Sequence, residues 1–247
     1  MITAAGRAVV AAGGLALIAT LGAASAQGQG GPQGFTLREP GHGREEEDFR
    51  RADPAAVVAA ELAFARAAQE EGQWTAFAEY ATEDAVMFVP QPVNAQDWLK
   101  GRANPPQAVR WQPHQVWSSC DGSLAVTKGA WQRPDGSVGY FTTVWQRQEK
   151  RKDGYRWVMD QGDSLAEPLE APEMIGAKVA QCRLPTPRPA PGVPITAADE
   201  QFNGGQSDDG TLQWHVITRP DGSRTVDAIY WDGSAWQVAF QERVAGG

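Results

Sequence analysis

The pentapeptide Arg-Pro-Asp-Gly-Ser stands at 133–137 and again at 219–223, both times between runs of apolar and β-branched residues. In such a turn proline presets φ, aspartate tolerates the next position, and glycine supplies the positive φ that re-enters a strand. Each copy therefore reads as a hairpin connector. The flanks match as well: Trp145 and Trp231 lie the same distance beyond the two turns. Either a duplicated meander or simple reuse of a good turn would produce this.

Around these turns the pattern is that of strands. AVRWQPHQVWSSC, LAVTKGAWQR, SVGYFTTVWQRQE and YRWVMDQGDSL are separated by Asp121-Gly122, Pro134-Asp135-Gly136 and Asp153-Gly154, which predicts a four-stranded antiparallel meander. RLPTPRPAPGVP (183–194) carries five prolines and reads as a stiff linker. Beyond it LQWHVITRP, SRTVDAIYW and AWQVAFQERV predict a small three-stranded meander within 195–247.

Upstream the period changes to helical. Asp53-Pro54 is a capped start, and PAAVVAAELAFARAAQEEG predicts a helix with Val58, Leu62 and Ala65 on one stripe and Ala68 beside it, ending at Gly72. Trp74, Phe77, Ala78 and Ala81 predict a second helix ending near Thr82. AVMFVP then reads as a short strand and NAQDWLKGR as a short helix capped by Asn94.

Residues 1–26 combine one arginine, a short run of small and apolar residues and Ala24-Ser25-Ala26, the pattern of a secretory signal peptide cleaved after Ala26. Residues 27–52 are a Gly/Pro-rich, charged leader with too little apolar surface to offset its ordering entropy. The expectation is an exported protein, periplasmic or secreted, with no membrane association after cleavage. In an oxidising compartment Cys120 and Cys182, the only two cysteines, form either a disulfide or two separate buried thiols. A net charge of -8 without a Lys/Arg cluster argues against nucleic acid as a partner.

The passages AELAFARAAQEEGQWTAFAEYATEDAVMFVP, LAVTKGAW, TTVWQRQ and GYRWVMDQGD, in this order of elements, resemble the nuclear transport factor 2 like superfamily, which includes SnoaL-like cyclases and ketosteroid isomerases. The resemblance spans about 54–166 and sets a domain at 53–166, followed by a linker at 167–194. It implies an α+β fold: N-terminal helices packed in the concavity of a curved antiparallel sheet, a cone, with the C-terminal meander outside it. It also implies a pocket for a small apolar molecule, and homodimerisation through the sheet.

An isomerase or cyclase of this kind needs a carboxylate base raised in pKa by an apolar pocket. Asp160, in the closing strand, is the foremost candidate; Tyr80, Asp84 and His114 are weaker ones. Each has a structural alternative: Asp160 as the ion-pair partner of Arg147, Lys128 or Arg156, Asp84 as a cap, Tyr80 as a rim residue, His114 as an ordinary strand histidine. Trp74, Phe77, Trp131, Trp145 and Trp157 are the candidate pocket lining, or else the filling of the core. G-x-S-x-G, H-E-x-x-H, P-loop and G-x-G-x-x-G motifs are missing, and only three histidines are present, so no metal site and no cofactor is expected.

Overall fold

The computed structural model describes residues 51–148, 154–182 and 196–246. The expected signal peptide, the leader as far as residue 50, the hairpin tip at 149–153 and the stretch 183–195 lie outside the described residues. Among the described residues the fold is α+β: three helices, a mixed seven-stranded sheet and a four-stranded antiparallel sheet.

Helix α1 (Pro54–Glu70) starts where Asp53 Oδ1 accepts the Ala56 N–H at 3.1 Å, with proline in its first turn. Its buried face is Val57, Glu61, Phe64, Ala67 and Ala68, and Leu62 is 43% exposed. The stripe through Val58, Leu62 and Ala65 is thus corrected by about one residue. Counting only apolar positions skipped Glu61, which anchors the true face at 57, 61, 64 and 68. Helix α2 (Gln73–Tyr80) ends two residues before Thr82, because Ala81 already pairs with Trp157 as the first residue of β1 (Ala81–Phe88). After β2 (Pro92–Asn94), α3 (Ala95–Leu99) is capped as expected: Asn94 Oδ1 accepts the Asp97 N–H at 2.9 Å.

Strands β3 (Arg110–Ser118), β4 (Leu124–Gln132), β5 (Val138–Arg147) and β6 (Tyr155–Leu165) form the predicted antiparallel meander. The sheet as a whole is mixed and not antiparallel, since β1 joins β6 in parallel and β7 (Gly176–Val179) joins β3 in parallel. β7 falls inside the stretch read as linker, and its GAKV is too short to carry a periodic signal. The bond between Cys120 and Cys182 fastens the segment after β7 to the end of β3.

Two single-residue bulges interrupt the meander. His114 has no partner between the pairs Pro113/Gly129 and Gln115/Lys128, and Val158 has none between Trp145/Trp157 and Val144/Met159. Trp157 and Asp160 are three residues apart and would lie on opposite faces of a regular strand. The extra residue places both on the helix side, while Met159 and Gln161 face away.

The helices cover one face of the seven-stranded sheet, in a core of Val57, Phe64, Ala68, Ala76, Trp145 and Trp157. The other face carries Trp117, Leu124, Val126, Val144 and Met159, which pack against Leu212, Trp214, Val216, Val226 and Phe240 of the C-terminal sheet. That sheet has four strands rather than three: β8 (Gln201–Gln206), β9 (Leu212–Thr218), β10 (Arg224–Trp231) and β11 (Trp236–Val244). The sequence of β8, QFNGGQ, is polar and glycine-rich, and only its pairing with β9 makes it a strand. Both RPDGS turns close hairpins in the same way, with Arg133 and Arg219 each donating a backbone N–H to Ser137 and Ser223 at 2.8 Å and with Gly136 and Gly222 at φ 87° and 83°.

Candidate functional site

Between α2 and the inner face of the sheet lies a cleft of about 300 Å³. Phe64, Trp74, Phe77, Met87, Trp111 and Phe141 supply its apolar wall, and Arg133, Asp163 and Ser164 are among its polar lining. Trp131 lines it because two strand glycines leave room for the indole. A Cβ on Gly139 would come within 2.2 Å of the Trp131 ring, and one on Gly162 within 3.3 Å of Trp131 Nε1. Phe64 organises the aromatic wall, lying 4.9 Å from Phe77, 5.2 Å from Tyr80 and 4.8 Å from Trp111 between ring centroids.

Asp160 borders this cleft from β6. Its Oδ2 accepts the hydroxyl of Thr143, directly across on β5, at 2.7 Å. None of the three cations expected as alternatives reaches it. Arg147 donates to Tyr155 and to the backbone of Asp121, Lys128 pairs with Glu242, and Arg156 lies over the Tyr80 ring. Burial without a counter-charge pushes the Asp160 carboxyl up to about 7; the Thr143 hydroxyl pulls it down and the negative charge of Glu61 adds to the rise. Asp160 keeps some solvent contact because it borders the cleft, yet the surrounding wall is apolar enough to desolvate it.

Glu61 is the residue that pattern reading missed. It is fully buried on α1, and three donors meet it: Trp111 Nε1 at 2.8 Å, Thr127 Oγ1 at 2.5 Å and Trp145 Nε1 at 2.9 Å. Thr127 also accepts the Trp145 N–H at 3.0 Å, so its own proton is free to go to Glu61. Burial raises the Glu61 pKa and the three hydrogen bonds lower it. The arrangement can hold a carboxylate, and it fixes the Trp111 ring in the cleft wall. The one available signal was an acid at the centre of an otherwise Ala-rich helix face.

The other candidates fall elsewhere. Tyr80 stacks on Phe64 beside Arg156 and does not line the cleft. Asp84 is exposed on β1. His114 is the bulged residue of β3, outside the cleft, with burial lowering its pKa. Trp74, Phe77 and Trp131 line the cleft, whereas Trp145 and Trp157 are fully buried in the core behind it. No group of three or more metal-ligating side chains occurs among the described residues, and no described helix is long and apolar enough to cross a membrane.

No protein-family model matches the sequence, and no curated protein does. Several solved structures are similar to part of it. An NTF2-like protein of unknown function from Mesorhizobium loti shares 15% identity, with 45% of this chain and 93% of that one covered and a TM-score of 0.29. A protein described provisionally as a ketosteroid isomerase from Parabacteroides distasonis shares 12%, over 47% and 96%, with a TM-score of 0.36. The CaMKII hub of S. rosetta shares 17%, over 46% and 98%, also with 0.36. At such values the likeness carries no functional argument, and the site has to speak through its own geometry.

Proposed function

We propose that this chain binds a small, flat, largely apolar molecule in the aromatic cleft, in the manner of a nuclear transport factor 2 like cone, with Asp160 meeting the ligand's polar atom. One observation carries the reading: an acid without a cationic partner borders a cleft walled by aromatic rings. Such a group costs stability, and a polar ligand atom offsets that cost. Export belongs to the same proposal, supported by the pattern of residues 1–26 and by the disulfide, which persists in an oxidising compartment.

A second reading, proton transfer, is favoured by the Asp160 pKa of about 7. A carboxylate near neutrality can take a proton from carbon next to a carbonyl and return it, as general bases matched to the working pH do. Native mass spectrometry of the purified protein tests the binding proposal, with a co-purifying small molecule expected in the wild type and lost or weakened in Asp160→Asn. A protein that carries nothing, and takes up no apolar probe such as an aminonaphthalene sulfonate dye in this cleft, contradicts it. Hydrogen–deuterium exchange at the α-carbon of a cyclic ketone tests the second reading, which fails if Asp160→Asn leaves the rate unchanged.

A further inference from the structure

The two sheets meet through turns that are copies of one another. Ser119-Cys120-Asp121-Gly122-Ser123-Leu124 joins β3 to β4, and Ser207-Asp208-Asp209-Gly210-Thr211-Leu212 joins β8 to β9: the pattern is Ser-x-Asp-Gly-Ser/Thr-Leu twice. Their main internal hydrogen bonds repeat. Asp121 Oδ1 accepts from Ser119 Oγ at 2.6 Å and from the Ser123 N–H at 2.9 Å; Asp209 Oδ1 accepts from Ser207 Oγ at 2.7 Å and from the Thr211 N–H at 2.9 Å. Leu124 and Leu212 donate backbone N–H groups to Ser119 Oγ at 3.2 Å and Ser207 Oγ at 3.1 Å.

Contacts between the turns are reciprocal. The Asp121 N–H donates to Asp209 Oδ2 at 3.0 Å, and the Asp209 N–H donates to Asp121 Oδ2 at 3.0 Å. The Cys120 N–H donates to Thr211 Oγ1 at 3.0 Å, and its counterpart, the Asp208 N–H, donates to Ser123 Oγ at 2.9 Å. When residue i of one unit contacts j of the other and j contacts i, the two are related by a two-fold axis, as in an isologous dimer. From these turns both meanders run through an RPDGS hairpin into a closing strand with a bulge, at Val158 in one and Ala239 in the other. β9 has seven residues against nine in β4, and β10 eight against ten in β5. The difference of two keeps every side chain on its face.

We infer that the chain is a single-chain pseudo-dimer of two β-meanders, in which the C-terminal sheet occupies the outer face of the helix-backed sheet as a built-in partner and leaves no room there for a second copy. The apolar residues of both inner faces are spent on each other, with Trp117 and Phe240 5.7 Å apart at the ring centroids. Polar residues seal the other end. Glu242 pairs with Lys128 and accepts from Thr142 and Gln161, and Arg224 donates to Gln161 and to the Gly162 carbonyl at 2.8 Å. Among the described residues the helices, and the aromatic cleft they help to wall, accompany the first meander. The homodimer implied by the family resemblance would need the face that the second meander covers.

Sedimentation equilibrium of the purified wild-type chain decides the point, with the mass of one chain expected throughout the micromolar range. A stable two-chain mass overturns it. Asp121→Ala and Asp209→Ala supply a second readout that depends on the reciprocal contacts. Each is expected to lower Tm by a similar amount, about 3–6 °C for a chain of this size. The double variant falls by less than the sum, since the two residues share partners. Either single substitution leaving Tm unchanged also overturns the inference.

Discussion

Asp160 is shifted in a way that its sequence neighbours give no reason to expect. In the unfolded chain the carboxyl ionises near 3.8, and in the fold burial moves it to about 7. The native state therefore binds more protons between these values, so the stability linked to this group is full below pH 4 and is lost as pH rises through 7. Asp160→Asn cannot ionise and keeps an acceptor for Thr143. Its stability relative to wild type should be nearly level at about pH 4 and ahead at about pH 8, by on the order of 2 kcal/mol. The full shift would give about 4, which contact with water in the cleft reduces. Urea denaturation at the two pH values reads this, and an advantage that does not grow with pH contradicts it. Glu61 is also raised by burial, but three hydrogen-bond donors hold its carboxyl and oppose that rise. Glu61→Leu strands the Trp111 N–H and takes the near acceptor from the Thr127 hydroxyl, each costing about 1–3 kcal/mol when left unpaired, while the Trp145 N–H keeps Thr127 as its acceptor. Glu61→Gln, which keeps one acceptor oxygen, loses less, and equal stability of both variants and wild type would remove Glu61 from this role.

At the scale of elements, α1 shows how a helix face can be hidden by its own buried acid. Its buried row includes an acid, so apolar spacing alone points to Leu62, one position away, which is 43% exposed. Leu62→Gln should change stability by no more than about 0.5 kcal/mol, while Phe64→Ala, which empties the centre of four ring contacts, should cost about 3–5. Thermal denaturation of the two variants separates the faces, and a larger loss at Leu62 would restore the apolar-only reading. The four strands of the first meander and three of the second were legible because turn chemistry is local: Asp-Gly and RPDGS act within five residues. The parallel additions β1/β6 and β3/β7, the strand QFNGGQ and the bulge at Val158 were not, since each exists only through a partner distant in sequence. Asp160 could be nominated from its strand, but its place beside Trp157 on the helix side depends on that bulge.

Across the whole molecule, the helix-backed sheet shelters the cleft on one face and meets the C-terminal sheet on the other. Cys120–Cys182 ties the chain between the two meanders to the turn where they touch. Reducing it, or replacing Cys120 by Ser, releases a loop of sequence separation 62 and should cost on the order of 4 kcal/mol in the chain-entropy account. Calorimetry with and without reductant measures this, and an unchanged Tm would show that the bond constrains nothing. The central claim is that the cleft holds a desolvated acid free of any cation. Carboxyl-selective ¹³C NMR of Asp160 across pH 3 to 9 tests it most directly. The expected result is a titration midpoint near 7 that falls when Glu61 is replaced by Gln. A midpoint near the ordinary aspartate value, indifferent to Glu61, would contradict it.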